Sequence, residues 1–283
     1  MFHVKHYNGL WRIKEDTMIK IFATDMDHTL LDNDSNLPEN IASLINEITD
    51  QNKIFIAASG RTLTNLHHKY KDIDAKITFI SDNGAILEHD GEIQYINKIK
   101  EEDVIDTIHK LRHAEDSTLV IITPTMSYIE SDNENHHKFL REYYTHMTLV
   151  DDLMDYTEDV IKITMVSPTK SHSNFIKYVD GKLSDNIYGV EAGKVWIDIM
   201  NRGINKAVAL KHLMDIIGVT EEHLVTFGDY YNDLEMITLA KYGFAVENAP
   251  QDIKDVAYGV IGSNHEQAVY HKIKEILDEE NNQ

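Results

Sequence analysis

The strongest constraint on the fold is an alternation of apolar, strand-like segments with segments of helical period. The segments IKIFATD, KIFIAASG and KITFISDNG are rich in β-branched and aromatic residues, and the stretches between them carry apolar residues at helical spacing. Strands that are apolar throughout are typical of a parallel sheet covered by helices on both faces. The pattern predicts an α/β fold with a Rossmann-like, doubly wound parallel-sheet core.

This alternation stops near Gly84 and resumes near Lys194. Between these points, helical patterns are separated by short paired strands such as TLVIITP and MSYIES, which indicates an inserted α+β module with an antiparallel sheet. A length of 283 residues also suits roughly two domains. The predicted domains are an N-terminal extension over 1–18, a core over 19–84 and 195–283, and an inserted α+β cap domain over 85–194.

The charge of the chain argues against several classes of partner. Its 48 acidic and 27 basic residues leave a net charge of −21, which repels nucleic acid and anionic membrane surfaces. The sequence contains no cysteine, and no apolar run has the length that spans a bilayer. We expect a cytoplasmic protein with a small-molecule partner, no nucleic-acid partner and no membrane association. The oligomeric state is unknown from the sequence.

Polar residues cluster where the predicted strands end. Carboxyl ends of parallel strands share one edge of a sheet, and ligands bind outside that edge. A single aspartate at such a position is more often a helix cap or turn residue. A role in caps or turns does not explain why two groups of acidic residues occur together with a hydroxyl residue, a Gly-Arg pair and a single lysine. We expect convergence of the following residues: Asp25, Asp27, Thr29, Ser59, Gly60, Arg61, Asn83, Lys206, Asp229, Asn232 and Asp233.

So many carboxylates at one edge would repel one another unless a cation lay among them. All-oxygen ligands favour a hard cation, and Mg²⁺ typically takes one or two carboxylates and keeps other positions for water and a substrate phosphate. Asp25 and Asp27, two apart in an extended segment, lie on the same side at a spacing of about 6–7 Å. One can act as a nucleophile while the other transfers protons. These residues predict Mg²⁺ as a cofactor.

Four short motifs carry a resemblance to a known family. DMDHT (25–29), SGR (59–61), Lys206 and GDYYND (228–233), in this order, resemble the motifs of the haloacid dehalogenase superfamily of phosphohydrolases. The large insert, the SDNGA that opens it and FAVENAPQDIKDVA near the end are similar to the Cof-like subfamily. His28 departs from the family, which usually carries glycine there. Because histidine tolerates left-handed backbone better than most residues, we expect the loop to keep its conformation.

The resemblance implies a role for each matching residue. Asp25 would be the nucleophile that forms an aspartyl-phosphate, and Asp27 would be the general acid and base. Lys206 would balance charge on the phosphoryl group. The implied metal ligands are Asp25, the main-chain carbonyl of Asp27, Asp229 and Asp233. The implied substrate or phosphate contacts are Thr29, Ser59, Gly60, Arg61, Asn83 and Asn232.

The activity that the resemblance implies is a Mg²⁺-dependent phosphatase for a small phosphorylated metabolite, such as a sugar phosphate, a nucleotide or a cofactor-precursor phosphate. A phosphomutase on the same scaffold would use the same nucleophile and is an alternative. A non-catalytic sensor of phosphorylated metabolites is a second alternative, although it would be expected to lack Asp25 or Asp27, and both are present. A phospho-acceptor signalling domain would not need the large insert.

Overall fold

The structure is a computed structural model that describes residues 18–131, 133–144, 146–192 and 194–282. Apart from Met18, the predicted N-terminal extension lies outside the described residues. Contacts group the described residues into two compact units, one within 18–58, 74–78 and 211–282, and the other within Ser59–Ile73 and Phe79–Leu210. This grouping does not follow the predicted core and cap boundaries, which stay a prediction. No described helix combines the length and the apolar character needed to cross a bilayer.

The described chain forms the following strands and helices. The strands are β1 Ile21–Asp25, β2 Ile54–Ala58, β3 Thr78–Ser81, β4 Ile86–His89, β5 Glu92–Ile96, β6 Thr118–Ile122, β7 Ser127–Glu130, β8 Met147–Leu149, β9 Lys162–Val166, β10 Ile187–Glu191, β11 Trp196–Asn201, β12 Leu224–Gly228, β13 Tyr242–Val246 and β14 Gly259–Ile261. The helices are α1 Ile41–Asp50, α2 Leu63–Tyr70, α3 Glu101–Leu111, α4 Glu134–Tyr143, α5 Ser171–Asn174, α6 Lys206–Ile217, α7 Leu234–Leu239, α8 Gln251–Val256 and α9 Ala268–Asn281.

The first unit contains a parallel sheet with the strand order β14-β13-β12-β1-β2. Every residue of β1, β12 and β13 is buried, as expected for strands that are covered on both faces. The chain proceeds from β1 to β2 in one direction, and later from β12 to β13 and β14 in the other. The winding therefore reverses between β1 and β12, and such a switch point is where doubly wound sheets bind ligands.

Helices cover both faces of this sheet. In β13, Ala245 packs with Ile237 of α7 and Ile253 of α8. The preceding residue, Phe244, points to the opposite face because side chains alternate along a strand. Its ring lies 5.3 Å from Nζ of Lys272 in α9. This arrangement confirms the predicted doubly wound α/β class.

The second unit contains a sheet with the order β10-β11-β9-β6-β7-β8, in which all pairs except β7 with β8 are antiparallel. One face of this sheet packs against α3 through Val104, Ile108 and Leu111. The pattern agrees with the predicted α+β module. The same unit holds the antiparallel pairs of β3 with β4 and of β4 with β5, and the β3–β4 turn is important for the site.

Candidate functional site

Three aspartates of the first unit form a carboxylate cluster. Asp25 ends β1, Asp229 follows β12, and Asp233 precedes α7. One carboxylate oxygen of each lies within 4.8 Å of the others. Asp25 is 4% exposed and Asp233 is fully buried, whereas Asp229 is partly exposed. The cluster therefore lies at the carboxyl ends of β1 and β12, on the two sides of the switch point.

The loop after β12 is folded around Asp233. Its Oδ2 accepts hydrogen bonds from the backbone N–H of Asp229 at 3.0 Å and of Tyr230 at 3.3 Å. A Cβ at Gly228 would lie 2.5 Å from Cβ of Asp233, so only glycine permits this close approach. Thr29 Oγ1 donates to Asp229 Oδ1 at 3.0 Å. These contacts orient two members of the carboxylate cluster.

The chemistry of the cluster fits a divalent cation. Three carboxylates in a largely buried place repel one another strongly, because the local dielectric constant is low. Their donor atoms are all oxygens, which suit a hard cation. The structure thus brings together Asp25, Asp229 and Asp233. Among the described residues, the Asp27 carboxylate is not part of this cluster, and the prediction for Asp27 concerned its main-chain carbonyl.

The segment that follows Asp25 is held by two asparagines that sequence reasoning missed. Its residue His28 has φ 61°, in the left-handed region. Asn248 Nδ2 donates to the His28 carbonyl at 2.8 Å, and Asn264 Nδ2 donates to the Leu31 carbonyl at 2.9 Å. Asn264 N–H also donates to Asn248 Oδ1 at 3.1 Å. The one signal in the sequence was the position of Asn248 just after β13, at the edge of the sheet that carries the aspartates.

In the second unit, the Ser59–Arg61 turn is joined to the β3–β4 turn. The Ser59 carbonyl accepts from Asn83 N–H at 3.0 Å, and the Arg61 carbonyl accepts from Asp82 N–H at 2.9 Å. Ser59 Oγ accepts from Arg61 N–H at 3.1 Å. A Cβ at Gly60 would lie 3.1 Å from Asn83 Oδ1, so these two residues are also in close proximity. Two parts of the predicted phosphate site are therefore adjacent in this unit.

The β3–β4 turn also lies against the start of α6. Asp82, Asn83 and Gly84 have consecutive φ angles of 49°, 54° and 99°. A Cβ at Gly84 would lie 2.1 Å from the Asn205 carbonyl oxygen and 3.0 Å from the Lys206 nitrogen. Lys206, the first residue of α6, is fully buried. The β3–β4 turn therefore lies next to both the SGR motif (59–61) and Lys206.

A buried ion pair in the second unit was not predicted. Lys162 Nζ lies 2.7 Å from Asp82 Oδ1, with side chains that are 4% and 1% exposed. Burial raises the pKa of Asp82, and the Lys162 ammonium opposes this effect. The pKa of Lys162 is raised by Asp82 and by Asp198, although burial acts to lower it. A lone lysine within the apolar segment VIKITMV was the available signal.

The predicted site residues therefore form two groups, each within one unit. Asp25, Thr29, Asp229 and Asp233 belong to the first, with Asp27 and Asn232 in the same loops. Ser59, Gly60, Arg61, Asn83 and Lys206 belong to the second. The convergence of both groups on one reaction stays a prediction.

Comparisons with known proteins agree with the motifs. The 5-amino-6-(5-phospho-D-ribitylamino)uracil phosphatase YbjI of Escherichia coli K12 is 25% identical over 264 residues, 93% of this chain and 97% of that protein. The Bacillus subtilis phosphatase YitU, named for the same compound, is 24% identical over 92% of this chain and 98% of its own. A solved haloacid dehalogenase-like hydrolase from Bacteroides thetaiotaomicron has a TM-score of 0.78 and 24% identity, and the match covers 91% of this chain and 99% of that one.

The family model described as haloacid dehalogenase-like hydrolase matches residues 22–273, nearly the whole described chain. This match confirms the resemblance inferred from the four motifs. Together with the phosphatases named above, it also confirms the expected enzyme class of phosphoric monoester hydrolases. The chain belongs to the family of haloacid dehalogenase-like hydrolases.

Proposed function

We propose that this protein is a Mg²⁺-dependent phosphatase that hydrolyses a small phosphorylated metabolite through an aspartyl-phosphate on Asp25. The observation that carries the proposal is the largely buried carboxylate cluster of Asp25, Asp229 and Asp233 at the switch point of a doubly wound sheet. The cluster supplies both a nucleophilic carboxylate and an oxygen donor set for a hard cation.

The residues that would hold Mg²⁺ are Asp25, Asp229 and Asp233, with the main-chain carbonyl of Asp27. When bound, the ion supplies positive charge that offsets the repulsion among the carboxylates and stabilises charge on the phosphoryl oxygens. Thr29 keeps Asp229 oriented through its hydroxyl, and the N–H groups of Asp229 and Tyr230 keep Asp233 oriented.

The reaction has two steps at phosphorus. A carboxylate oxygen of Asp25 attacks, the bond from phosphorus to the leaving oxygen breaks, and Asp27 donates a proton to that oxygen. Asp27 then accepts a proton from water, whose oxygen attacks the same phosphorus. The bond between phosphorus and Asp25 breaks, so that inorganic phosphate is released and the carboxylate is restored.

Residues of the second unit would bind the phosphoryl group. Ser59 would donate its hydroxyl hydrogen to a phosphoryl oxygen, which is compatible with Ser59 Oγ accepting from Arg61 N–H. Lys206 would place a positive charge beside the nucleophile and the phosphoryl group. Further contacts to the phosphate or the substrate would come from Thr29, Gly60, Arg61, Asn83 and Asn232.

The substrate class that we propose first is a cofactor-precursor phosphate. YbjI and YitU are both named for 5-amino-6-(5-phospho-D-ribitylamino)uracil, a pyrimidine with a phosphorylated ribityl chain. Their similarity extends over more than nine tenths of this chain, which supports a related substrate. Sugar phosphates and nucleotides are the comparison compounds.

The test is phosphate release from 4-nitrophenyl phosphate, sugar phosphates, nucleotides and the ribitylaminouracil phosphate, with Mg²⁺ or with EDTA. The variant is Asp25→Asn, and the matched control is Asp50→Asn, at an exposed position at the end of α1. We expect release only with Mg²⁺, a loss of about 10³-fold or more in Asp25→Asn, and no change in Asp50→Asn. Asp229→Asn should raise the Mg²⁺ concentration that half-maximal release requires.

Two results would contradict the proposal. One is purified protein that releases no phosphate from any compound in the panel. The other is Asp25→Asn with the activity of the unchanged chain. Transfer of the phosphoryl group to another hydroxyl of the substrate, without free phosphate, would replace hydrolysis by the phosphomutase alternative.

A further inference from the structure

The Lys162 side chain connects a strand of the six-stranded sheet to the Ser59–Arg61 turn. Lys162 begins β9, its side chain is almost fully buried, and its Nζ donates to the Gly60 carbonyl oxygen at 3.1 Å. The same ammonium forms the ion pair with Asp82. Lysine is almost never buried without such partners.

Stability alone is a weak explanation for this ion pair. Removing two charges from water costs free energy, and well-packed apolar residues at such positions often stabilise a protein as well as an ion pair or better. The contacts of the two side chains indicate a role in the structure of the neighbouring turns. Lys162 approaches the turn that carries Ser59, while Asp82 lies in the adjacent β3–β4 turn.

All three carbonyl groups of the Ser59–Arg61 turn receive a hydrogen bond. The Ser59 carbonyl is bound by Asn83 N–H, the Arg61 carbonyl by Asp82 N–H, and the Gly60 carbonyl by Lys162 Nζ. The first two donors belong to the backbone of the β3–β4 turn. The third is the only one of these three donors that a side-chain substitution can remove.

The Gly60 carbonyl and the Arg61 N–H belong to one planar peptide group. A donor that holds this carbonyl therefore also holds the direction of the N–H, which donates to Ser59 Oγ at 3.1 Å. That hydrogen bond occupies one acceptor site of the hydroxyl and limits its rotation, so the hydroxyl hydrogen is directed away from Arg61. The hydrogen bond from Lys162 therefore affects the orientation of the Ser59 hydroxyl through a single peptide group, that between Gly60 and Arg61.

We propose that Lys162 is a positioning residue for the phosphate-binding turn, and that it orients the Ser59 hydroxyl through the Gly60–Arg61 peptide. Asp82 keeps the ammonium charged and in place. This proposal rests on the proposed function, because it assigns Lys162 a role in the binding of the phosphoryl group. It predicts a loss of phosphate recognition that is separate from any loss of stability.

The variant that tests the proposal is Lys162→Met with Asp82→Asn, which removes both charges and avoids an unpaired buried carboxylate. A matched control exists in the first unit, where Lys53 Nζ lies 2.7 Å from Glu280 Oε2 and donates to the Ile19 carbonyl at 2.9 Å. Lys53→Met with Glu280→Gln therefore removes an ion pair and a lysine-to-carbonyl hydrogen bond of the same kind, but at the start of β2 and not at its carboxyl end, where the turn begins.

The measurements are kcat and KM, inhibition by orthophosphate, and hydrogen exchange of the Arg61 amide. With the Lys162 double variant we expect kcat/KM to fall by about tenfold to 100-fold. Orthophosphate should inhibit it more weakly, and the Arg61 amide should exchange faster. With the Lys53 double variant we expect all three quantities to stay unchanged. Urea unfolding at equilibrium shows whether the two variants have comparable stability.

The two proposals can fail separately. If the unchanged chain releases no phosphate, the proposed function fails, and the exchange of the Arg61 amide still decides whether Lys162 positions the turn. Unchanged exchange at Arg61 in a folded Lys162 double variant would overturn the positioning role. An unchanged kcat/KM in that variant would overturn its relevance to phosphate recognition, since the role would then be charge compensation for Asp82 alone.

Discussion

His28 has a backbone conformation that most residues with a side chain avoid. Its φ of 61° lies in the left-handed region, where histidine is tolerated and β-branched residues are rare. The carbonyl of His28 is also held by Asn248 Nδ2. This conformation agrees with the expectation that histidine can replace the glycine usual in the family, because both residues can adopt it.

This residue gives a prediction for stability. His28→Val should lower the free energy of unfolding by about 1–3 kcal/mol relative to His28→Gly, because a β-branched side chain is strained at positive φ. Urea unfolding of the two variants measures this difference in the free energy of unfolding. Equal stability of the valine and glycine variants would show that this position does not require the left-handed conformation.

At the scale of residues, the sequence was informative where a side chain carries out the chemistry. The aspartates of the carboxylate cluster were predicted because acids at two strand ends follow a recognisable spacing. Asn264 and Lys162 were not predicted, because each donates a hydrogen bond to a main-chain carbonyl group. Every residue type has such a carbonyl, so the acceptor cannot be recognised from the sequence. Such contacts depend on tertiary structure and leave no spacing in the sequence.

The β3–β4 turn shows how one element can depend on a single glycine. Gly84→Ala should be strongly destabilising, by about 3 kcal/mol or more, because a methyl group would overlap the Asn205 carbonyl at a φ of 99°. Gly91→Ala is the matched control. It has a φ of 75° but nothing within 4 Å of its added Cβ, so a cost of about 1 kcal/mol is expected.

Thermal or urea unfolding of the two alanine variants separates steric overlap from backbone strain. Equal losses in Gly84→Ala and Gly91→Ala would mean that the approach to Asn205 is not tight in solution. A loss restricted to Gly84→Ala would support the close packing of the turn against the start of α6. Phosphatase activity of that variant, measured below its melting temperature, should fall as well, since Lys206 follows Asn205 directly.

At the scale of elements, the strands that end at the predicted site were predicted more completely than the hairpins. The strands β1, β2, β3, β12 and β13 were expected from their continuous apolar character. The β4–β5 hairpin was missed, although its Asp90-Gly91 turn, with φ of 52° and 75°, is a well-known hairpin signal. The three-residue strands β8 and β14 are too short for periodicity to reveal.

At the scale of the whole molecule, several carboxyl groups should make stability depend on acid pH. The pKa values of Asp32, Asp116, Asp152 and Glu266 are lowered. For three of these acids the main cause is a hydrogen bond from a backbone N–H group: that of Asn36 to Asp32, that of Met154 to Asp152 and that of Ser263 to Glu266. For Asp116 the main cause is the hydrogen bond from the Thr169 hydroxyl. Because the folded state binds their protons less readily, each stabilises the fold above its unfolded pKa near 4.

This stabilisation is lost as the pH falls through the folded pKa values. The free energy of unfolding should therefore decrease from about pH 5 towards pH 3. Asp116→Asn should make the decrease shallower, which urea unfolding at a series of pH values would show. Asp82 acts in the opposite sense, because burial raises its pKa. An identical slope in Asp116→Asn would rule out the Thr169 hydrogen bonds as a source of acid sensitivity.

The prediction of the overall class succeeded because alternation and apolar strands are properties of long segments. Domain boundaries are harder to predict, since they depend on which segments contact one another. Residues 59–73 and 79–84, predicted in the core, group by contacts with the unit that contains the six-stranded sheet. The local rhythm of the sequence continues through these residues and carries no sign of that grouping.

The place of β1 in its sheet also has a consequence for the order of events during synthesis. One edge of β1 pairs with β2, which follows closely, but the other edge pairs Ile21 with Leu224 of β12. At ~5–20 residues per second, a ribosome needs roughly 10–40 s to deliver β12 after β1. Until then Asp25 has no Asp229 or Asp233 beside it. A nascent chain therefore cannot assemble the carboxylate cluster before Asp233 has been made.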